Sequence, residues 1–277
     1  ANLSEEKALD GHLLPGLEPA GVPRGLTGTM LPFNYNNFEE LESIFAEHGD
    51  NLAAVVMEPA RSRGPEPGFL ENVRDIAHKH GALLVFDEIT SAWRMNTGGI
   101  HLTYGVNPDL AVFAKAMSNG YPMGAIVGTE PVMQAAQLTF ISSAYWTEKI
   151  GPVAALATIK KHRRLEVGAH LIEMGERVQA GWREAGKRTG LKVDTTGIPP
   201  LSHLSFMYEN EAAVVTLFTQ LMLERDILTS VSFYPSLAHT VDMVDHYLEQ
   251  VGKVFQFCAD AVEQGTVESS LKGPIRH

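Results

Sequence analysis

Hydrophobic and polar positions along the first half of the chain follow two patterns, short apolar runs and longer amphipathic segments. Residues 52–57, 82–86 and 110–114 are short apolar runs bounded by polar or turn-forming residues, which is typical of buried strands. Residues 38–47 and 68–80 carry apolar side chains at helical spacing. Strand, helix and strand in this order predict a βαβ unit, whose two strands run parallel.

The middle of the chain continues this architecture with shorter elements. Its pattern predicts a long loop over residues 90–104, a strand over 124–128, a helix over 130–137, a strand over 139–143 and a helix over 148–164. Residues 1–34 are rich in Gly and Pro, and we predict irregular loop there.

The pattern changes near residue 167 to long amphipathic helices separated by short strands. It predicts helices over residues 169–189, 211–225 and 241–264, and strands over 191–195, over 203–208 and near Ile227. This combination is typical of an α+β domain with an antiparallel sheet. We therefore divide the chain into a larger domain, residues 1–166, and a smaller C-terminal domain, residues 167–277.

The composition narrows the classes of protein to which the chain can belong. Its 277 residues are 44% hydrophobic, which is enough for two modest domains with a sizeable core. A formal net charge of -11 disfavours a nucleic-acid-binding surface. No apolar run approaches the length of a membrane span. A single cysteine, Cys258, excludes an internal disulfide, and no secretory signal opens the chain, so we expect a cytoplasmic protein.

Chemically useful side chains follow three of the predicted strands. Glu58 follows the first apolar run, Asp87 the second and Lys115 the third. The carboxyl ends of parallel strands share one edge of a sheet, where ligands bind. A lysine at that edge, next to glycines that let the backbone approach, can form an imine with a carbonyl cofactor. The alternative is that each is a surface residue at a strand end. No metal site is predicted.

The longer pattern around these residues resembles a known family. It consists of residues 87–89 (Asp-Glu-Ile), 91–94 (Ser-Ala-Trp-Arg), 105–109 (Gly-Val-Asn-Pro-Asp) and 115–125, which begin with Lys. In order and spacing it resembles the class III family of pyridoxal-phosphate (PLP) aminotransferases, especially the branch of glutamate-1-semialdehyde aminomutase. The likeness extends from about Leu31 to the end of the chain. It implies an α/β fold, fold type I of the PLP-dependent transferases, with a partial large domain of mainly parallel sheet and a small C-terminal α+β domain.

The resemblance implies catalytic roles for Lys115 and Asp87. Lys115 is expected to form the Schiff base with PLP and then to move a proton between substrate and cofactor. Asp87 is expected to pair with the pyridine nitrogen and keep it protonated, so that the ring acts as an electron sink. The alternatives are a solvated lysine and an N-terminal cap for the loop that follows the strand.

Five further residues receive roles from the same resemblance. Ile89 would pack on the cofactor ring or belong to the core. Glu88 would bond to groups near the cofactor or lie at the surface. Thr147 would contact the cofactor phosphate of a neighbouring subunit, which implies a homodimer with shared sites, or cap a helix. Arg94 would bind a substrate carboxylate or form a surface salt bridge. Glu58 would support the site from outside.

Three functions remain open from the sequence. The first is amino transfer between an amino donor and a carbonyl compound through Lys115, the second is an aminomutase of the glutamate-1-semialdehyde type, and the third is a non-catalytic remnant or partner subunit. Ser91, Ala92 and Trp93 stand where the family usually has Thr-Gly-Phe, which favours the aminotransferase. Nothing before Leu31 matches the family's phosphate loop or its ring-stacking aromatic residue. We therefore expect that the N-terminal part of the family fold is absent from this chain.

Overall fold

The structure is a computed structural model that describes residues 29–142 and 147–275. Its helices are α1 (Phe38–His48), α2 (Phe69–Lys79), α3 (His101–Tyr104), α4 (Glu130–Gln134), α5 (Ile150–Arg164), α6 (Val167–Thr189), α7 (Glu211–Leu223) and α8 (Val241–Glu263). Its strands are β1 (Ala54–Met57), β2 (Leu83–Asp87), β3 (Leu110–Phe113), β4 (Ala125–Gly128), β5 (Val193–Thr196), β6 (Ser202–Phe206) and β7 (Ser232–Phe233). The loop predicted for residues 1–34 falls almost entirely outside the described residues.

The first sheet has the strand order β1-β2-β3-β4 and is mainly parallel. Strand β2 runs parallel to β3, and the last residue of β2, Asp87, lies opposite Val112. Strand β4 returns antiparallel to β3. Leu84 and Phe86 in β2 and Ala111 in β3 are buried, as the apolar runs predict. The sheet therefore brings the carboxyl ends of β2 and β3 to one edge.

The second sheet is antiparallel, with the order β5-β6-β7. Its inner face packs with α6, α7 and α8 in a core that contains Trp182, Phe206, Phe218 and Phe255. The three phenylalanine rings contact one another with centroids 5.6 to 5.8 Å apart. The indole Nε1 of Trp182 donates to the hydroxyl of Tyr247 at 3.0 Å. This confirms the predicted antiparallel α+β arrangement of the C-terminal part.

The described residues fall into two compact units. One contains the residues up to 55 together with residues 65–84, and it carries α1 and α2. The other contains residues 56–64 and the residues from 85 onward, and it carries the second sheet. All candidate site residues of the sequence analysis belong to the second unit. The division at residues 166 and 167 stays a prediction.

Two strand predictions were wrong. Residues 139–142 contain no strand, and Phe140 is 97% exposed, so this apolar segment has no neighbouring strand to pair with among the described residues. The strand expected near Ile227 lies further on, as β7. Asp226 has a φ of +59°, and the Ile227 amide bonds to the Met222 carbonyl at 3.1 Å. The Ile227 amide thus closes the end of α7 and is not available to a sheet.

The loop predicted over residues 90–104 also ends differently, since its last four residues form α3. Among the described residues, no helix combines the length and the apolar character that crossing a membrane requires.

Candidate active site

Asp87 and Lys115 lie just past the ends of two neighbouring parallel strands. Asp87 closes β2, and Lys115 follows the end of β3 by two residues. The Asp87 side chain is half-buried, and its Oδ1 accepts the Ile89 amide at 3.0 Å. This bond turns the chain away from the strand, which is a common role for an aspartate at such a position. The second carboxylate oxygen makes no hydrogen bond to a described residue.

The amine of Lys115 is held by a threonine that the sequence analysis did not select. Lys115 Nζ donates to Thr90 Oγ1 at 2.8 Å. Thr90 is 5% exposed and lies three residues past Asp87. The sequence signal for Thr90 is its position directly after the Asp-Glu-Ile run. The Thr90 hydroxyl therefore links the end of β2 to the lysine that follows β3.

The backbone of Lys115 adopts an unusual conformation. Its φ is +47°, in the left-handed region that residues with a Cβ atom seldom occupy. Such a residue costs about 1–3 kcal/mol and persists only where its surroundings impose it. Asn119 and Gly120, with φ values of +50° and +100°, complete the tight turn that follows. The fold thus keeps the backbone of Lys115 in a strained conformation at the sheet edge.

Glu88 is a buried carboxylate that organises the loop after β2. It is 0% exposed. Its two oxygens accept hydrogen bonds from the Ile100 amide (2.9 Å), the Ser91 hydroxyl (2.7 Å), and both the amide (2.9 Å) and Nδ1 (2.7 Å) of His101. Burial alone raises the pKa of the Glu88 carboxyl, but these donors together hold the pKa below its ordinary value. Glu88 thus fixes the loop that carries Ile89, Thr90 and Arg94.

Trp93 is the second strained residue of the site, with a φ of +56°. Its amide donates to the Gly98 carbonyl at 2.9 Å, and its own carbonyl lies 3.2 Å from His162 Nε2. Burial lowers the pKa of the His162 imidazole, so the ring is neutral near pH 7. Its Nε2–H then donates to Trp93, and its Nδ1 accepts from the Thr97 hydroxyl at 2.8 Å.

Arg94 is held between two parts of the chain. Its Nε donates to the Thr90 carbonyl at 3.2 Å, and its guanidinium lies over the ring of Tyr234, 5.8 Å from the centroid. Burial lowers the pKa of the Arg94 guanidinium, and Tyr234 acts in the opposite direction. An arginine stays charged in any protein. No described acidic residue forms an ion pair with it, so it presents a positive charge to the space beside it.

That space is a cavity of about 530 Å³ whose walls include Trp93, Arg94, Lys115, Lys161 and His162. None of the described residues that line it is acidic. Volumes of this size accept small-molecule ligands. Sequence reasoning placed Lys115 and Arg94 at the site but missed Lys161 and His162, because both come from α5, far away along the chain.

The other selected residues lie outside the cavity walls. Ile89 is half-buried after β2, where its amide closes the turn with Asp87. Glu58 is half-buried and pairs with Arg61 at 3.4 Å. Thr147 is exposed, three residues before α5 begins. The structure thus joins Lys115 and Arg94 through Thr90. It does not bring Asp87, Glu88, Ile89, Glu58 or Thr147 into the cavity walls.

Three comparisons with known proteins bear on this site. The sequence pattern that defines "Aminotransferase class-III" matches residues 27–194. The 3-aminobutyryl-CoA aminotransferase of Cloacimonas acidaminovorans (strain Evry) is 35% identical over 193 residues, which are 67% of this chain and 47% of that protein. The glutamate-1-semialdehyde 2,1-aminomutase of Syntrophobacter fumaroxidans (strain DSM 10017 / MPOB) is 30% identical over 259 residues, which are 85% of this chain and 59% of that protein.

Among solved structures, the FumI protein of Sphingopyxis sp. MTA144, in its PLP internal aldimine form, superposes with a TM-score of 0.78. It is 25% identical, and the match covers 84% of this chain and 58% of that one. The chain thus spans about half to three fifths of the length of the proteins that it matches.

Proposed function

This chain belongs to the class III aminotransferase family and has the type I fold of PLP-dependent transferases, and we propose on that premise that it carries out PLP-dependent amino transfer. The amino group would pass from a small amino donor to a carbonyl compound. The observation that carries the proposal is the placement of the Lys115 amine and the Asp87 carboxylate at adjacent ends of parallel strands.

The residues present fit PLP as the cofactor. An aldehyde cofactor needs a primary amine, and Lys115 supplies one at the wall of a cavity large enough for a small ligand. A pyridine nitrogen needs a carboxylate partner, and Asp87 keeps one oxygen without a hydrogen bond to the described residues. When bound, PLP supplies an electron sink for the bond that breaks in the substrate.

Lys115 would hold the cofactor covalently and later move a proton through Nζ. Both tasks need the amine to lose its proton at working pH. The Thr90 hydroxyl, 2.8 Å from Nζ, would orient the amine for these tasks. Arg94 lines the same cavity and places a positive charge there. Arg94 would also bind the carboxylate of a substrate, with two of its N–H groups available for a paired contact.

Asp87→Asn is expected to lower kcat on the order of 10²-fold while some PLP binding remains, because the amide is neutral and no longer stabilises a protonated pyridine nitrogen. Spectroscopic titration with PLP and steady-state rates would measure the two effects. Asp194→Asn is a matched control, since Asp194 is exposed on β5 and also bonds to a nearby backbone amide. Near-normal turnover of the Asp87 variant would remove this residue from the mechanism.

We further propose a homodimer with shared sites, in which Thr147 contacts the cofactor phosphate of the neighbouring subunit. Thr147 is exposed, as this role requires. Nearby apolar side chains are also exposed, namely Leu138 (90%), Phe140 (97%), Ile150 (64%) and Val153 (62%). Apolar side chains exposed to this extent favour an interface over a solvated surface.

Three further proposals follow from the family resemblance. Ile89 would pack on the cofactor ring, and Glu58 would support the site without touching the cofactor. The protein would be cytoplasmic.

An aminomutase of the glutamate-1-semialdehyde type is the second candidate. The match that covers 85% of this chain is to a protein of that name. An aminomutase would use the same residues but would keep its intermediate bound until the amino group returns to the same carbon skeleton. Release of a free keto product in a single turnover separates the aminotransferase from the aminomutase.

Borohydride reduction of the purified protein with PLP tests the proposal at the level of one atom. We expect an absorbance band of the PLP–lysine adduct before reduction, and after reduction a mass label on the peptide that carries Lys115. The exposed Lys160 on α5 serves as an internal control and should stay unlabelled. A label on another lysine would refute the assignment. The lack of any band would favour the non-catalytic remnant.

A further inference from the structure

The peptide group that links Trp93 to Arg94 is hydrogen-bonded to a histidine from a distant helix. The Trp93 carbonyl belongs to this peptide group, and its oxygen lies 3.2 Å from Nε2 of His162 on α5. A carbonyl oxygen accepts hydrogen bonds and never donates, so Nε2 carries the proton. His162 is 6% exposed, and a hydrogen bond shielded from water in this way is stronger than one at the surface.

The backbone of Trp93 needs this support, because its φ of +56° is unfavourable for a residue with a Cβ atom. The Trp93 amide donates to the Gly98 carbonyl within the same loop. The bond from His162 ties the strained residue to another element of the fold. His162 Nδ1 also accepts from the Thr97 hydroxyl at 2.8 Å, so one imidazole ring holds both ends of residues 93–97.

The start of α6 lies against the middle of the same segment. A Cβ atom at Gly168 would lie 2.6 Å from the Met95 carbonyl oxygen, so any side chain at this position of α6 would displace the loop. Residues 93–97 are therefore held by α5 on one side and by α6 on another. Within this segment, Arg94 lines the cavity that Lys115 also lines.

We propose that His162 is a positioning residue, which fixes the peptide group between Trp93 and Arg94 and thereby directs the Arg94 guanidinium into the cavity. A peptide group is planar, so fixing its carbonyl also fixes the direction in which Arg94 begins. Both ring nitrogens of His162 are already hydrogen-bonded within the protein, so the residue acts through Arg94 and not on the substrate. The inference rests on the proposed function in taking Arg94 as a substrate-binding residue.

Two substitutions of His162 separate the roles of its two nitrogens. A glutamine side chain is long enough to place an amide N–H near the position of Nε2, whereas an asparagine side chain reaches only as far as Nδ1. His162→Gln should therefore keep a donor for the Trp93 carbonyl, and His162→Asn should lose it. His246→Asn makes the same chemical change at an exposed histidine of α8 and serves as the control.

Hydrogen–deuterium exchange of the protein without cofactor tests the anchoring of the loop. In His162→Asn, we expect the amides of residues 92–98 to exchange roughly 10-fold faster than in the wild type, as the loss of one buried hydrogen bond implies. His162→Gln and His246→Asn should keep the wild-type rate in this segment. Equal exchange in all four proteins, faster exchange in both His162 variants, or a rise that extends equally to α8 would each overturn the proposal.

Steady-state kinetics test whether the anchoring acts through Arg94, with L-glutamate as the probe amino donor. We expect His162→Asn to raise KM about 10-fold while kcat stays within about threefold of the wild type, and His162→Gln to restore KM. In an Arg94→Gln background, His162→Asn should raise KM no further, because the group that it positions is absent. Independent effects of the two substitutions, or a fall in kcat without a change in KM, would overturn the proposal.

A failure of this inference is distinguishable from a failure of the proposed function. If the borohydride label does not appear on Lys115 but exchange in residues 92–98 depends on the Nε2 donor, amino transfer fails and the anchoring by His162 stands. If the label appears and exchange is the same in both His162 variants, the reverse holds. If the wild type does not turn over L-glutamate, the exchange measurement alone decides whether His162 holds the segment that carries Arg94.

Discussion

Replacing Lys115 with alanine is expected to lower the rate of amino transfer by roughly 10⁴-fold or more, because one side chain performs both the covalent and the proton-transfer task. Its Nζ is fixed by Thr90 at 2.8 Å, and no other described lysine has an amine held in this way at the end of β3. The measurement is keto-product formation under saturating donor and acceptor, with PLP in excess.

Two controls make this result interpretable. Lys160→Ala changes an exposed lysine of α5 and should leave the rate near that of the wild type. Thermal unfolding should show that Lys115→Ala still folds, and alanine at φ +47° is no more strained than the lysine it replaces. Retention of more than about a tenth of the wild-type rate would exclude the roles of Lys115 in covalent and proton-transfer catalysis.

Glu88→Ala is expected to lower the free energy of unfolding by about 3–5 kcal/mol, because four hydrogen-bond donors lose their acceptor in a place that water does not reach. Urea unfolding of the wild type and the variant at pH 7 measures the difference. Glu249→Ala is the control, since Glu249 is exposed and pairs with Lys253 at the surface of α8. Glu249→Ala should lower the free energy of unfolding much less than Glu88→Ala does. A Glu88 variant as stable as the wild type would contradict the role of this carboxylate in fixing the loop.

The difference in unfolding free energy between the wild type and Glu88→Ala is expected to depend on pH. The folded-state pKa of Glu88 lies below its ordinary value of 4.5, so the charged carboxylate stabilises the fold at every pH above that value. This contribution is lost as the pH falls through the folded-state pKa, because the proton then binds the native state too. The stability difference between wild type and Glu88→Ala should therefore be constant from pH 7 to about pH 5 and narrow below pH 4.

The loop between Glu88 and Arg94 connects these predictions to function. Glu88 anchors its first turn, Thr90 orients Lys115, and Arg94 faces the cavity. Because these side chains share one short segment, a change at Glu88 is expected to disturb the site as well as the stability. The strained backbone of Trp93 at the end of the segment fits this account, since the contacts around it impose a geometry that the isolated peptide would avoid.

The sequence by itself determined most of the elements and the position of the two candidate catalytic groups at strand ends. Helix α1 begins after Asn37, whose side chain accepts the Glu40 amide as a cap, and ends one residue past the prediction. Strands β2 and β3 coincide with the predicted apolar runs to within one residue at each end. Asp87 and Lys115 lie at strand ends for a local reason, because a buried strand ends where polar side chains begin.

Only the tertiary structure decided what those groups touch. Three contacts in the site join residues that are 25 or more positions apart, namely Thr90 with Lys115, Arg94 with Tyr234 and His162 with Trp93. No local sequence pattern predicts such contacts. Local pattern also fails at the apolar segment of residues 139–142. The pattern predicts a strand there, but the segment has no neighbouring strand to pair with among the described residues. Whether an apolar segment forms a strand, and whether a carboxylate or an indole N–H is buried and hydrogen-bonded, depends on residues from elsewhere in the chain. Hydrogen bonding and burial follow from what folding brings close and not from the residue type alone.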